Sequence, residues 1–457
     1  MSALPRAGRP ALVAILPALV AAVLGGWRLG VPSLWRDESV SAMAARMSLA
    51  DLRRLLADID TVHALYYVLL RPFAALGGPP EVPFRLLSVV AFTAAAFGVA
   101  ALGQRLAGPV AGLCGGLFYA LTPIADRYAQ EARSYALVSA VAVLSTWLLV
   151  RLVERPTPWL HVGYAASLAL LGWLHLYAVL LVPAHLVAAW LAGRRSALLS
   201  AAGAGVALLP LVAIAAGQRG AQVFWLQAPG LKEVAAFPVE VAGSWPAAAV
   251  LFGLALWGAW RVPVVTLWAV VPVVLSMAIS QVQPIYHPRY VLFAVPGLAL
   301  LAGIGAAALL RHRRPAVTVP LAVLAFAVLT YGTQVALREP NGRPDDLRSL
   351  AAALAAEERP GDRVLFVPQR YRLFVAVYGE PYERLVDLTH APGAAEPRTA
   401  AELGQALAGV ERVWLVSPRI GPRYADDERY LALKKRLKPG RTRTFGSIHL
   451  TLYTRDN

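Results

Sequence analysis

Acidic residues are few in this sequence, and fewest where it is most apolar. Of 27 Asp and Glu, only twelve precede residue 341: Asp37, Glu38, Asp51, Asp58, Asp60, Glu81, Asp126, Glu131, Glu154, Glu233, Glu240 and Glu339. Cysteine is rarer still. The single Cys114 lies inside an apolar segment, which excludes a disulfide framework and a thiolate metal site. Lysine occurs four times against 39 arginines, a ratio that reads as a GC-rich coding bias rather than a physical requirement. Residues 341–457 contain no GxGxxG or Walker pattern, so no nucleotide site is indicated there. The segmentation shows no internal repeat.

What the chain has in abundance is apolar surface. Of its 457 residues 58% are apolar and the mean hydropathy is +0.56, whereas a soluble chain sits near about 45–50% apolar. This is the composition of an integral membrane protein. A pI near 10.3 would suggest nucleic acid in a soluble protein. In a polytopic one it follows from Lys and Arg gathered in cytoplasmic loops, and no nucleic-acid module is visible. With about 20 apolar residues needed per crossing, eleven spans are expected: 10–29, 83–103, 109–125, 134–151, 159–174, 176–193, 197–216, 245–260, 262–280, 290–310 and 315–336. The first is read as an uncleaved span rather than a signal peptide, because the apolar run continues to Trp27 with no cleavage site after it.

Orientation follows from the basic residues. With Arg6 and Arg9 inside, strict alternation places inside Arg105, Arg151 and Arg155, Arg194 and Arg195, Arg261, and the RHRR run at 311–314. Of the twelve early acids only Glu154 then falls inside. The two signals agree provided that 61–77 does not cross, so 30–82 reads as one external loop lying on the membrane. Within it, Ser48 with Asp51 three residues on makes a capping-box-like start. Leu49, Leu52, Leu55, Leu56 and Ile59 then form the apolar stripe of an interfacial helix. The transmembrane domain is thus 1–340, N-in. The tail, 341–457, is charged; DDLRSLAAALAAEE and TAAELGQALAGV read as helices, and RVLFV, ERVWLVSP and FGSIHLTLYT as strands. A small α/β domain on the outer face is expected.

Four external stretches hold polar groups that a lipid-facing surface would not keep. Asp37 and Glu38 stand together after the first span; acids there would also complement the dipole of a helix start. Glu131 lies between Arg127 and Arg133 at a span entrance, where a salt-bridged loop is the plainer reading. His175 sits at an outer span end, a common place for a hydrogen-bonded interfacial histidine. Tyr286, His287, Arg289 and Tyr290 cluster before another span, where headgroup snorkelling also places such residues. Lys232 is a weaker fifth candidate. Together they put carboxylates able to act as a general base and cations able to neutralise a phosphate on one membrane face. That is the inventory for displacing a lipid-linked phosphate from a sugar by an acceptor hydroxyl.

These residues resemble the motifs of the GT-C membrane glycosyltransferases, particularly the family 39-like group that includes protein O-mannosyltransferases and lipid A aminoarabinose transferases. The matching pieces are the Asp37-Glu38 pair, VHALYY at 62–67 with His63, QEARSY at 130–135, HLY at 175–177 and PRY at 288–290. Ala64 and Leu65 depart from the two prolines usual after the histidine. The resemblance covers about residues 10–336. It implies Asp37 as catalytic base, Glu38 as support of its position and Glu131 as the second acidic motif, and an inverting transfer from a polyprenyl-phosphate sugar, with mannose a candidate. It leaves a divalent metal open, and an acceptor that is a glycan, a lipid or a protein. The implied location is the bacterial plasma membrane, with active site and tail domain extracytoplasmic. The main alternative is a transporter or flippase for a lipid-linked or anionic substrate, which predicts inverted repeats and acids at mid-membrane. A non-enzymatic anchor presenting the tail would leave Asp37, Glu38 and Glu131 without a role.

Overall fold

The computed structural model describes residues 10–455 apart from 224, 311–314, 393 and 395. Arg6, Arg9 and the RHRR run, used above for orientation, lie outside the described residues. Two compact units emerge: Met1–Leu29, Met47–Ala75 and Phe84–Ala336 form the first, and Gly30–Arg46, Leu76–Pro83 and Leu337–Asn457 the second. The second unit therefore takes in the stretch carrying Asp37 and Glu38 along with the tail.

The helices up to residue 336 are α1 (Pro10–Gly26), α2 (Arg36–Arg46, second unit), α3 (Leu49–Asp58), α4 (Ala64–Ala74), α5 (Glu81–Ala107), α6 (Pro109–Leu121), α7 (Pro123–Ala129) and α8 (Tyr135–Glu154), then α9 (Pro158–Leu174), α10 (Leu181–Leu191), α11 (Ala197–Val223), α12 (Leu231–Ala242), α13 (Trp245–Gly258), α14 (Pro263–Ile279), α15 (Val295–Leu310) and α16 (Pro315–Ala336). Each expected apolar segment is helical, and the protein is a multi-pass membrane protein. The expected count of eleven spans, however, is corrected. Among the described residues five helices are long and apolar enough to cross: Glu81–Ala107, Tyr135–Glu154, Ala197–Gln218, Pro288–Leu309 and Val317–Ala336. A sixth arises if α12 and α13, bent by 93°, count as one broken span. Val13–Gly26, Pro109–Leu121, Leu176–Leu191 and Pro263–Ile279 are shorter. Prolines set several of these limits. Thr122 and Val262 each precede a proline and take non-helical ψ values of 118° and 86°, which ends the local helical run.

Glycine contacts hold the bundle together. A Cβ on Gly303 of α15 would collide with the backbone of Gly115 in α6, and one on Gly305 with the Leu254 carbonyl of α13. Lipid tails are as apolar as leucine, so close van der Waals packing through small residues replaces the hydrophobic effect as the drive for helix association. Outside the spans, α3 begins where expected: the Ser48 hydroxyl accepts from the Asp51 amide at 3.1 Å. Helix α4 has only 11 residues, too few to cross.

The second unit contains a five-stranded sheet in the order β2-β1-β3-β5-β4. Its strands are β1 (Arg363–Phe366), β2 (Val386–Asp387), β3 (Arg412–Pro418), β4 (Lys438–Phe445) and β5 (Ile448–Thr454). Pairing is parallel across β2-β1-β3 and antiparallel across β3-β5-β4. Alternation along the strands supplies two cores. Val364, Phe366, Trp414, Val416 and Leu450 face the helix Leu347–Glu357 (α17), while Leu365, Val413, Leu415 and Tyr453 pack with Leu403, Leu407 and Leu433. Helix α2 starts at Arg36, whose guanidinium grips Asp345 through two hydrogen bonds of 2.8 and 3.1 Å.

Candidate active site

The first unit gathers most of the sequence-selected residues at breaks between helices. One break is Gln130–Ser134, between α7 and α8. Ser88 on α5 donates its hydroxyl to the Glu131 carbonyl at 2.6 Å. The Gln130 amide donates to Gly25 and Trp27 carbonyls at 3.0 and 2.7 Å, satisfying carbonyls that the C-terminal end of α1 leaves without intrahelical partners. The loop that carries Glu131 and Arg133 is therefore anchored on two sides, and Glu131 itself is fully buried.

A second break sets His63. Asp60 adopts left-handed backbone geometry, φ 64°, and its carbonyl accepts from the His63 amide at 2.8 Å. Gln218 of α11 fixes this turn from the other side: it donates to the Leu56 and Ala57 carbonyls and to the Thr61 hydroxyl, and accepts from the Thr61 amide at 3.1 Å. His63 then meets Arg133, Nε2 to Nη2, at 2.7 Å. A guanidinium only donates, so His63 accepts through Nε2 and is the neutral tautomer.

The third break is the turn Pro288–Ala294 before α15, braced from beneath by Trp268, whose indole donates to the Phe293 carbonyl at 2.7 Å. His287 caps it by accepting the Arg289 amide on Nδ1 at 3.3 Å. The Arg289 guanidinium faces three rings: its carbon lies 5.9 Å from the centroid of Tyr135, 5.3 Å from Trp225 and 5.2 Å from Tyr290. His175 joins the same wall, with ring centroids 5.6 Å from Tyr135 and 5.2 Å from Tyr290, and Tyr177 stands 5.6 Å from Tyr290. His287 lies 5.5 Å from Trp225. Arg127 stacks on Tyr128 at 5.7 Å.

Electrostatics ties these pieces together. Burial, then Arg133 and Arg289, pulls His175 down to about 3. Burial, then Arg289 and Arg127, does the same to His287, also about 3. His63 is held well below the usual histidine range by burial first, then by Arg133, His175 and Arg289. Tyr128 is pushed up to about 12 by burial and then by Glu131. Three guanidiniums thus act on three neutral imidazoles with one buried carboxylate among them. That field favours a multiply charged anion with oxygens for bidentate pairing.

Not every candidate joins this group. Lys232 is exposed on the first turn of α12, beside Glu233. Tyr286 is buried in a separate apolar cluster with Val273, Val291 and Ala294. Asp37 and Glu38 occupy the first turn of α2 in the second unit; Glu38 is fully buried and accepts from the Trp35 amide at 3.4 Å, while Asp37 is partly exposed. Among the described residues no group of three or more His, Cys, Asp or Glu side chains is gathered as a metal centre needs. The residues that reasoning from sequence missed are Tyr135, Tyr177 and Trp225. Two of them end the quoted motifs QEARSY and HLY, which was the available signal.

A family model described as dolichyl-phosphate-mannose-protein mannosyltransferase matches residues 64–216. No curated protein sequence matches the chain. Among solved structures the chain is similar to ArnT from Cupriavidus metallidurans bound to undecaprenyl phosphate, at 15% identity and TM-score 0.62, over 96% of this chain and 97% of that one. The apo state of the same protein gives 14% identity and TM-score 0.63 over the same shares. The archaeal oligosaccharyltransferase AglB from Archaeoglobus fulgidus, in complex with an inhibitory peptide and a dolichol-phosphate, is similar at 11% identity and TM-score 0.52, over 98% of this chain and 74% of that one. The chain shares the fold of these proteins.

Proposed function

We propose that this protein is an inverting glycosyltransferase that moves a sugar from a polyprenyl-phosphate donor to an acceptor hydroxyl at the outer face of the membrane. The observation that carries the reading is the guanidinium of Arg289 set among Tyr135, Trp225 and Tyr290, with His287 and His175 adjoining and the Arg133–His63 pair in the same unit. Fixed cations of this kind stabilise the charge that grows on a departing phosphate, the larger catalytic contribution in such a step. The shared fold supports it, since the relatives of that fold were solved with undecaprenyl phosphate and with a dolichol-phosphate.

In the proposed step the acceptor oxygen forms a bond to the anomeric carbon while the bond from that carbon to the phosphate oxygen breaks. The electron pair leaves with polyprenyl phosphate. The acceptor proton passes to a carboxylate, and the resemblance gives that role to Asp37, with Glu38 supporting its position and Glu131 as the second acidic motif. General-base assistance contributes about 10²–10⁴-fold. The proposal extends to topology: the N-terminus is cytoplasmic, and the tail domain is extracytoplasmic in a bacterial plasma membrane.

The test is to purify wild type and Asp37→Asn and assay release of free polyprenyl phosphate from a panel of polyprenyl-phosphate sugars, mannose first, with membrane extract as acceptor. Release by wild type and near-complete loss in a folded Asp37→Asn protein is expected. Equal release by both proteins removes Asp37 as the base.

A further inference from the structure

At the opposite end of α8 from the QEARSY loop, the structure holds a second feature that glycosyl transfer does not use. Between α10 and α11 lies a cavity of about 240 Å³ lined by Leu186, Val187, Ala189, Trp190, Leu198 and the adjacent arginines Arg194 and Arg195. Its walls are almost wholly apolar, and two adjacent arginines are among the residues that line it. The Arg194 guanidinium donates through Nε to the Val153 carbonyl at 2.9 Å, which fixes its position against the end of α8. The exposed Arg195 side chain has no hydrogen-bond or ion-pair partner among the described residues. The acid at this end of the bundle, Glu154, is already engaged by a two-pronged pair with Arg105.

We infer that this cavity is a binding site for an anionic phospholipid, its phosphate on Arg194 and Arg195 and an acyl chain along Leu186, Val187 and Leu198. Charge complementarity and position carry the inference. Trp190 and Trp159, 63% and 83% exposed, are placed as aromatic residues are at a membrane interface. A basic pocket between membrane helices is the arrangement that captures anionic headgroups. Snorkelling would account for one arginine reaching a headgroup at random. It does not account for a dented apolar wall beneath two adjacent arginines, one of them locked by a backbone carbonyl. A zwitterionic lipid fits less well, because its ammonium group would meet the same two arginines.

The experiment titrates purified full-length protein in detergent with phosphatidylglycerol or with phosphatidylcholine of matched chains, and counts bound lipids by native mass spectrometry. Phosphatidylglycerol is expected to be retained in preference. Arg195→Ala should weaken that retention about fivefold, and Arg194→Ala with Arg195→Ala about twenty-five-fold. Leu186→Trp fills the cavity, keeps both charges and leaves the Arg194 anchor in place, and should also lose the tightly held lipid. Equal retention of the two lipids, or undiminished phosphatidylglycerol binding in both Arg195→Ala and Leu186→Trp, overturns the inference. The result is independent of whether sugar transfer is detected.

Discussion

Arg133 Nη2 and His63 Nε2 lie 2.7 Å apart, joining the loop before α8 to the turn before α4. Because the arginine must donate, the histidine serves as its acceptor and aims the guanidinium. A hydrogen bond to a charged group contributes about 1.5–3 kcal/mol, so His63→Ala should lower kcat/KM for transfer roughly ten- to a hundred-fold. His63→Gln, whose amide oxygen can accept, should recover part of this. A double-mutant cycle with Arg133→Ala is expected to show coupling of about 1–2 kcal/mol. Additive losses would mean that the two residues act separately.

Arg289 stands among three rings, and a planar guanidinium is suited to that place in a way an ammonium is not. Arg289→Ala is expected to reduce kcat/KM about 10²–10³-fold, the usual cost of removing one preorganised charge-stabilising donor. Arg289→Lys should remain at least about tenfold impaired despite keeping the charge. Steady-state kinetics against donor concentration checks both. Full activity in Arg289→Lys would show that only net charge matters there.

Much of this arrangement was legible in the sequence because membrane segments leave few polar residues to choose among. Glu131, Arg133, His175 and Arg289 stood out against apolar runs, and all of them lie in the first unit near its helix breaks. The rings around Arg289 did not stand out, since Tyr135, Tyr177 and Trp225 are ordinary interfacial residues until the helix breaks bring them together. Gln218 was invisible for a related reason: its role is to bond the Leu56 and Ala57 carbonyls, a backbone partnership that no side-chain pattern encodes. Strands β1, β3 and β5 were readable from their apolar alternation. Strand β4, KPGRTRTF, was not, because it forms by edge pairing to β5, with Thr442 and Thr451 hydroxyls 2.9 Å apart, rather than by burying its own side chains.

In the second unit the Arg36–Asp345 pair sets the first turn of α2. Asp345 is 1% exposed and also accepts from the Ser447 amide at 3.3 Å. Removing one partner of a buried pair leaves a charge without compensation. Arg36 is partly exposed, so the cost of Asp345→Ala should fall below the fully buried range, at about 2 kcal/mol. Thermal unfolding and limited proteolysis should register that loss, and transfer activity should drop with it if the α2 turn must hold Asp37 and Glu38 in place. Unchanged activity in a destabilised Asp345→Ala protein would separate α2 from catalysis.

The neutral histidines make the fold acid-sensitive in a predictable direction. In the unfolded chain each titrates near 6.5, whereas His175 and His287 titrate at about 3 when folded and His63 is also lowered. Between those values the unfolded chain binds protons that the folded one does not, so stability is complete above about 6.5 and is lost as pH falls below it. Carboxylates titrate lower, near about 4, so the interval from about pH 6.5 to 5 isolates the histidines. The unfolding temperature in detergent should be flat from about pH 8 to 7 and decline across that interval. His287→Gln cannot take up a proton in the unfolded chain, so its decline should be shallower than that of wild type. An unfolding temperature that rises on acidification through the same interval would mean that these histidines gain protons on folding, the opposite of what burial beside Arg133, Arg289 and Arg127 requires.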